Sequence, residues 1–390
     1  MNNIFERLNE IDWDFSDYIS SSYSNDINSI HWYPASFVPQ IPAILAQVLS
    51  EEGDVILDPF VGSGTSLIET IKLNRKAIGV DLNPNAIEIS RAKVKSIMYA
   101  DNAWGKMEVD NINNLSISKN TSELIGKNFI DNEVIKWFEP QTLKELITIH
   151  EYILNTKDEL IDIRKIIFSS ILNKCCSQRD HYTYITDRCY PKELIYINAI
   201  SKYKIQVEDV VKSANFFREQ YFRLYSKPFN DTNILLKNSN SKDLRYLEDS
   251  SVDLIITSPP YLGVNDYIRA SRLTSLFFPI ENLDFLLNDE IGARRKRHRK
   301  SIFVDYINEM KSVFYELNRV LKPNKYFCLI IGQSSGKVTK ENLINILIEV
   351  LTKELDFELL FKKPRKFKFR RIQVTGIGSE WIIVLKSKKY

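Results

Sequence analysis

The chain has 390 residues, of which 44% are hydrophobic and 26% are charged, a composition typical of globular proteins and not of disordered ones. It contains no run of about 18 apolar residues, which argues against a membrane-spanning helix. Its four cysteines show no CxxC pairing, which argues against a zinc cluster or a disulfide framework. The net charge is only +3, but residues 294–300 (RRKRHRK) and 362–371 (KKPRKFKFRR) are basic runs without acids, which indicates a surface that binds a polyanion. The first residues carry no secretory signal, so we expect a cytoplasmic protein.

A strand, a glycine-rich turn and a helix follow one another near the N-terminus. Residues 55–57 are apolar, the string DPFVGSGT forms the turn, and residues 65–72 are predicted to form the helix. A second strand is predicted at 76–81, where it ends in an acid, and Pro84 opens the next helix. This pattern is a βαβ unit.

Residues 111–232 differ from the segments on either side. They begin with a polar stretch rich in Asn and Ser and continue with long helical patterns such as LKELITIHEYIL. We interpret them as a mostly helical insertion into a main domain formed by residues 1–110 and 233–390. Strand patterns then resume and alternate with amphipathic helices at 304–322 and 340–355. The later strands are predicted at 233–236, 252–257, 326–331, 358–361 and 381–385. This alternation predicts an α/β fold with a doubly wound, Rossmann-like sheet.

The glycine-rich turn predicts a ligand site. Gly62 and Gly64 let the backbone approach a ligand closely and direct N–H groups at the helix end towards it. The turn lacks the lysine of a P-loop and the three-glycine spacing of a dinucleotide fingerprint. Asp58 at the end of the first strand suits a cationic group, and Asp81 at the end of the second suits ribose hydroxyls. An adenosine-containing ligand with a positive amino group fits both acids.

A second motif, TSPPY, ends the strand at 252–257. Pro259 and Pro260 remove two N–H donors and fix φ, so the carbonyls of Ser258 and Pro259 project as rigid acceptors. Tyr261 follows at once. Such a turn suits a planar ring with an amino group, although a bare Pro-Pro-Tyr is more often only a turn that ends a strand.

Together, DPFVGSGT and the downstream TSPPY resemble the amino-group DNA methyltransferases, which transfer a methyl group from S-adenosylmethionine to cytosine N4 or adenine N6. HWYPASFVPQIPAIL (31–45) resembles the N-terminal motif of that family, GVDLNPNA (79–86) its ribose-binding motif and NSNSKDL (238–244) its adenine-facing segment. LKPNKYFCLIIG (321–332) and SEWIIVLK (379–386) resemble its later strands. The resemblance implies a sheet of about seven strands whose last strand is antiparallel.

The resemblance also implies roles for single residues. Asp58 is expected to anchor the methionyl amino group directly or through water, Asp81 the ribose and Asp243 the adenine amine. The expected cofactor-binding residues are Asp58, Phe60, Gly62, Gly64, Thr65, Asp81 and Asp243. The expected catalytic residues are Ser258, Pro259, Pro260 and Tyr261, with the ring of Tyr261 stacked on a flipped-out base.

The order of the motifs is that of the class whose target-recognition region lies between them, which assigns this role to residues 111–232. Double-stranded DNA is the expected partner. The basic run that follows TSPPY is expected to grip phosphates near the mouth of the site. Its expected DNA-binding residues are Arg294, Arg295, Lys296, Arg297, Arg299 and Lys300. The string SQRDHYTYITDR (177–188) offers side chains that suit base contacts, although His181 is more simply structural.

Cytosine N4 is favoured over adenine N6 as the target, because the adenine enzymes of this family more often carry Asp or Asn at the position of Ser258. No proline precedes any of the four cysteines, so the Pro-Cys nucleophile of cytosine-C5 enzymes is missing and direct transfer is expected. The alternatives are an adenine-N6 enzyme, an RNA base methyltransferase and a catalytically silent DNA-binding subunit. A cognate restriction endonuclease is a candidate partner that the sequence cannot reveal.

Overall fold

The computed structural model describes residues 2–15, 25–34, 36, 38–117, 125, 130–178, 190–334, 342–365 and 377–389. Seven strands form a single sheet. They are β1 (Val55–Asp58), β2 (Lys76–Asp81), β3 (Ile234–Asn238), β4 (Val252–Thr257), β5 (Leu321–Ser334), β6 (Phe357–Arg365) and β7 (Ile377–Ser387). Their order is β3-β2-β1-β4-β5-β7-β6. β7 pairs antiparallel with β5 and β6, whereas the other neighbours pair in parallel.

Helices cover both faces of the sheet. They are α1 (Asn2–Glu10), α2 (Gln40–Leu49), α3 (Thr65–Lys72), α4 (Pro84–Tyr99), α5 (Asn102–Asn113), α6 (Pro140–Asn155), α7 (Ile161–Cys175), α8 (Ala199–Tyr225), α9 (Tyr267–Ala270), α10 (Arg272–Phe277), α11 (Leu283–Asp289), α12 (Ile302–Val320) and α13 (Asn342–Glu349). The side chains of adjacent strand residues point to opposite faces of the sheet. Ile56 packs in the core under α1 and α2, whereas Leu57 packs in the core under α12 and α13. All six residues of β4 are buried, as expected for a central parallel strand.

The helices of the insertion share one hydrophobic core with the sheet. Trp137, Phe168 and Tyr203 from the insertion belong to the same buried cluster as Leu67 of α3 and Ile87 of α4. The insertion is therefore a further layer packed on α4.

A buried polar group lies inside this helical layer. Arg164 donates to Glu108 at 2.8 Å, and the Tyr203 hydroxyl donates to the other oxygen of the same carboxylate at 3.1 Å. Each of these side chains is at most 1% exposed, and the buried Arg164 guanidinium also pairs with Asp158 at 2.6 Å, so two carboxylates compensate its charge.

The predicted fold class is confirmed, including the number of strands, the antiparallel last strand and the helical insertion. The division of the chain into residues 1–110 with 233–390 and residues 111–232 stays a prediction. The start of β5 was placed too late. A turn is predicted at residues 322–324, but β5 already begins at Leu321 and the pairing with β4 shifts register there. Asn324, at φ +60, absorbs the irregularity.

Several further predictions concern regions described only in part. Within the described ranges, no helix is both long and apolar enough to cross a bilayer. Cys175, Cys176 and Cys328 are buried and free, whereas Cys189 lies outside the described residues. The same holds for His181 and most of its string (177–188), and for the basic run 362–371 beyond Arg365.

Candidate active site

The carboxyl ends of β1, β2 and β4 meet around a cavity that is open to solvent on one side. Ligands of open α/β sheets bind at this edge. The wall combines the segments that follow four strands with the end of α11 and a segment before α2. The lining residues are Tyr33, Pro34, Ser36, Phe60, Val61, Gly62, Ser63, Thr65, Asp81, Leu82, Asn83, Asn240, Ser241, Ser258, Pro260, Tyr267, Ile268, Asp289, Glu290 and Ile291. The glycine-rich turn and the SPP turn thus face one cavity.

Two glycines shape the turn after β1. Gly62 has φ +51, and a Cβ at this position would lie 3.1 Å from the ring of Tyr33, so a side chain here would press on the cavity wall. Gly64 has φ +83 and does not line the cavity. A Cβ at Gly64 would lie 2.7 Å from the Ser90 hydroxyl, which itself donates to the Gly62 carbonyl at 3.0 Å. Gly64 therefore lets α3 begin close to α4. It does not line the cavity, so the structure does not support its expected contact with the cofactor.

Asp81 lies in the cavity wall at the end of β2, as its predicted role requires. One carboxylate oxygen accepts from the Gly62 N–H at 2.9 Å and the other from the Asn83 N–H at 2.8 Å. Burial raises the pKa of Asp81 to about 7, although these two N–H groups favour the ionised form. The carboxylate is thus fixed in orientation and titrates near neutrality.

Asp58 lies behind the wall and not in it. Its side chain is 3% exposed and accepts from the Phe60 N–H at 2.9 Å, from the Thr257 hydroxyl at 2.6 Å and from the Ser66 hydroxyl. Burial raises its pKa to about 6. The carboxylate thus joins β1 to β4 and α3 and does not line the cavity, and its expected role as an anchor of the methionyl amino group, directly or through water, stays a prediction.

The SPP turn presents Ser258 and Pro260 to the cavity, whereas Pro259 is buried. The Pro260 carbonyl accepts from the Tyr306 hydroxyl at 3.0 Å. This bond fixes the turn against α12. Of the residues expected to be catalytic, Ser258 and Pro260 therefore reach the site with their side chains.

The expected stacking role of Tyr261 is contradicted by its position. The side chain is 4% exposed, belongs to the core under α12 and α13, and is absent from the cavity wall. Its ring packs against β5, where a Cβ on Gly332 would lie 2.5 Å from the ring carbon Cε2. The ring lies inside because Gly332 leaves room for it.

Asp243 does not lie where its predicted contact with the adenine amine requires. Its carboxylate is 47% exposed and forms an ion pair with Arg245 at 2.6 Å, away from the cavity. Asn240 and Ser241 of the same loop line the cavity instead. The residue types in this loop predicted a polar contact, but the turn after β3 decides which side chain faces inwards.

The basic segment at 294–300 adjoins the mouth of the cavity, because the Arg294 N–H donates to the Asn265 carbonyl at 2.9 Å in the loop after the SPP turn. Two of its six expected DNA-binding side chains are engaged within the protein. Arg295 forms ion pairs with Asp266 and Glu290, and buried Lys296 donates to two carbonyls within 2.8 Å. These two assignments are therefore wrong for this structure.

The other four basic side chains remain candidates for phosphate contacts. Arg297, Arg299 and Lys300 are exposed, and Arg294 is half-buried. Their segment is tied to the loop after the SPP turn through the backbone of Arg294, and their contact with phosphates stays a prediction.

Tyr33 and Glu290 line the cavity but were not predicted as site residues. Among the described residues, the aromatic rings in the wall are those of Tyr33, Phe60 and Tyr267. Those of Tyr33 and Tyr267 stack at a centroid distance of 6.3 Å and an angle of 25°. Both tyrosines lie in strings that resemble family motifs or follow one closely, which is a usable signal. Glu290, which accepts from the Tyr267 N–H at 2.5 Å, lies in a segment with no recognisable pattern.

The cavity suits an adenosine-containing ligand. The glycine turn leaves no space for a side chain at Gly62 without displacing Tyr33, the oriented Asp81 carboxylate can accept from ribose hydroxyls, and Asn240 and Ser241 offer polar groups opposite. The residues present therefore fit the cofactor that the sequence motifs imply.

Comparison with known proteins agrees with this geometry. The family model described as DNA methylase, of the N6/N4 type, matches residues 3–92 and 252–390. The Type II methyltransferase M.MjaII of Methanocaldococcus jannaschii is 22% identical over 91% of this chain and 80% of its own length. The Type II methyltransferase M.MvaI of Kocuria varians is 23% identical over 88% of this chain and 84% of its own.

A solved structure, the rRNA methyltransferase aviRa of Streptomyces viridochromogenes, aligns over 95% of this chain and 94% of its own with 12% identity. Its TM-score is 0.40, a likeness too distant to bear on the activity of this chain.

Proposed function

This chain belongs to the DNA methylase family and is an S-adenosylmethionine-dependent amino-methyltransferase of DNA, and we propose that its target is the N4 amine of cytosine in a specific duplex sequence. The observation that carries the proposal is the single cavity in which the glycine turn and Asp81 face Ser258 and Pro260. The serine favours cytosine, because Asp or Asn is more common at this position in the adenine enzymes that the sequence resembles.

The glycine-turn side of the cavity is the proposed cofactor site. Asp81 would hold the ribose, Phe60 and Thr65 would contact the bound molecule, and Asn240 and Ser241 would take the role first assigned to Asp243. When bound, S-adenosylmethionine supplies an electrophilic methyl group on its sulfonium sulfur.

The SPP turn activates the target amine in this proposal. The lone pair of an exocyclic amine is delocalised into the ring, so the nitrogen is a poor nucleophile. The hydroxyl and the backbone carbonyl of Ser258 would take hydrogen bonds from the two N–H groups and favour a tetrahedral nitrogen with a localised lone pair. Because prolines follow Ser258, no backbone N–H competes at the turn. No covalent intermediate on the protein is needed.

The target base has to leave the duplex to reach this turn, because its amine otherwise points into the base pair. We assign the stacking surface to Tyr267, whose ring lines the cavity together with Ser258, in place of buried Tyr261. Tyr33 supports that ring from behind. Stacking on aromatic side chains is the usual way in which extruded bases are held.

DNA contacts are proposed on two elements. Exposed Arg297, Arg299 and Lys300, with Arg294 beside them, would bind phosphates at the cavity mouth, and the insertion at residues 111–232 would read the sequence. The curated relatives are named Type II methyltransferases, so a restriction endonuclease with the same target sequence is the proposed partner in the cell.

Expression in a host without DNA methylation, followed by nucleoside mass spectrometry, tests the proposal. We expect N4-methylcytosine in the DNA of cells that express the wild-type chain and none with the control variant Ser258→Ala. Detection of N6-methyladenine instead would show that the target is adenine and not cytosine. Unmodified DNA from cells that contain folded protein would contradict both targets. Long-read sequencing of the same DNA gives the methylated site.

A further inference from the structure

A chain of hydrogen bonds leads from Ser258 in the cavity wall into the protein interior. The Ser258 hydroxyl lies 3.2 Å from the Tyr261 hydroxyl, which lies 2.6 Å from one carboxylate oxygen of Glu380. The other oxygen of Glu380 accepts from Arg365 at 2.9 Å. Tyr261, Glu380 and Arg365 are each no more than 6% exposed. Ser258 is therefore connected to a buried ion pair.

The sheet fixes the far end of this chain. Glu380 lies on β7, directly opposite Arg365 on β6 and Gly332 on β5 in the strand registers. Gly332 is also the residue that makes room for the Tyr261 ring. The tyrosine hydroxyl is thus held between the SPP turn and the β7 carboxylate by the packing of three strands.

The chemistry of the groups fixes the direction of donation. Both oxygens of Glu380 accept hydrogen bonds, one from Tyr261 and one from Arg365, so the single phenol hydrogen of Tyr261 points to Glu380. Burial and the Glu380 carboxylate hold the pKa of Tyr261 well above its usual range, so the phenol keeps this hydrogen. The Ser258 hydrogen must then point to the tyrosine oxygen, and the lone pairs of Ser258 Oγ are left for the cavity.

We propose that Tyr261 and Glu380 are positioning residues, which hold Ser258 Oγ as a hydrogen-bond acceptor and thereby select an amino group over a carbonyl at the target position. The inference rests on the proposed function and deepens it by assigning the choice of a base with an amine to the buried chain. The ring of Tyr261 is needed to carry its hydroxyl, whereas stacking on the base falls to another residue. This separates the inference from the role first expected for Tyr261.

The variant Tyr261→Phe tests the inference because it keeps the ring and removes only the hydroxyl. We expect its kcat to fall about ten- to a hundredfold, the kinetic equivalent of one or two net hydrogen bonds, while the Kd for S-adenosylmethionine stays within about twofold.

Trp13→Phe is the control. Trp13 is also buried and also donates a side-chain hydrogen bond, to the Leu8 carbonyl at 2.9 Å, but it lies in the core under α1 and α2 and belongs neither to the cavity wall nor to the insertion. It should lose at least a similar amount of thermal stability and keep its kcat.

An equilibrium measurement without cofactor gives a second readout. Duplexes carry cytosine, uracil or pyrimidin-2-one at the mapped target, opposite an abasic site so that no base pair has to break. Wild-type protein should prefer cytosine over pyrimidin-2-one, which lacks the amine, by about fivefold. Tyr261→Phe should lose this preference.

Glu380→Gln should shift the preference towards uracil. With the Gln oxygen facing Arg365, its amide would donate to Tyr261, the phenol hydrogen would turn to Ser258, and the serine hydrogen would turn to the cavity. This variant changes the direction of the bonds while keeping the size of the side chain.

Retention of wild-type kcat and wild-type base preference by both variants would overturn the inference, as would losses confined to thermal stability, as in Trp13→Phe. Absence of methylated cytosine with wild-type protein would instead overturn the proposed function. The two failures are therefore distinguishable.

Discussion

Gly64 and Gly53 form a natural pair for testing why the turn after β1 needs glycine. Both have φ +83, but a Cβ on Gly53 would meet nothing within 4 Å, whereas a Cβ on Gly64 would lie 2.7 Å from Ser90 Oγ and 3.1 Å from Ser90 Cβ. Gly53→Ala therefore measures the backbone strain alone, and Gly64→Ala measures the same strain together with the collision between α3 and α4.

The expected magnitudes follow from these two contributions. A left-handed conformation costs an L-residue about 1–2 kcal/mol, which is the loss of unfolding free energy expected for Gly53→Ala. The collision at Gly64 adds about 1–3 kcal/mol of overpacking, so Gly64→Ala should lose about 2–5 kcal/mol. The excess over Gly53→Ala is the quantity that reports on Ser90.

Urea unfolding without cofactor measures these losses, and a double-mutant cycle with Ser90→Ala attributes them. Ser90→Ala alone should lose about 1 kcal/mol, because its hydrogen bond to the Gly62 carbonyl disappears. In the Gly64→Ala background it should be neutral or stabilising, since the closest colliding atom is removed. Equal losses for Gly64→Ala and Gly53→Ala, with weakened cofactor binding only in the former, would refute the reasoning and restore Gly64 as a cofactor contact.

Three further predictions concern the cavity and its mouth. The affinity for 5′-methylthioadenosine, measured calorimetrically, should increase as the pH is raised towards 7, by up to about tenfold per pH unit, and stay constant above pH 7. The reason is that burial raises the pKa of Asp81 to about 7, and only the ionised carboxylate accepts from both ribose hydroxyls. Tyr267→Ala should weaken binding of target DNA by about 5- to 150-fold through lost stacking. Replacing Arg297, Arg299 and Lys300 by Gln should reduce the slope of log affinity against log salt by about 2.7 in fluorescence titrations.

Matched variants control each of these measurements. Asp81→Asn should bind 5′-methylthioadenosine weakly with no pH dependence between 5.5 and 7.5, and a persisting slope would point to another group. Tyr267→Phe should bind DNA as the wild type does. Replacing exposed Lys76, Lys353 and Lys388, at the opposite edge of the sheet, by Gln should leave the salt slope unchanged; an equal change would show that only the net charge matters.

The fold followed from local patterns, because each strand and helix carries its own signal. Apolar runs that stop at Asp58, Asp81 and Thr257 placed three strand ends correctly, and parallel strands bring their carboxyl ends to one edge. A cavity lined by both motifs was therefore predictable from the sequence. The irregular start of β5 was not, since the positive φ of Asn324 absorbs what looked like a turn.

The failures within the site share one physical cause, which is that they depend on contacts between distant segments. Tyr261 lies inside because Gly332 on another strand makes room for its ring. Lys296 is not available to DNA because carbonyls at the end of α11 accept hydrogen bonds from its ammonium group. The residue types near each motif therefore predicted a polar or basic cavity wall. The partner of each side chain, however, could be determined only from the structure.

The shared core between the insertion and α4 limits how the specificity of this protein could be exchanged under the proposed role of the insertion. A graft of residues 111–232 from a relative would bring new side chains against α4, whose Ile87 belongs to the same buried cluster as Trp137 and Phe168 of the insertion. Chimaeras that also transfer the facing surface of α4 should fold, whereas transplants of the bare insertion would leave voids or clashes at the seam. Under the proposed role of the insertion, diversification of the recognised sequence is therefore coupled to compensating changes in the scaffold that carries the chemistry.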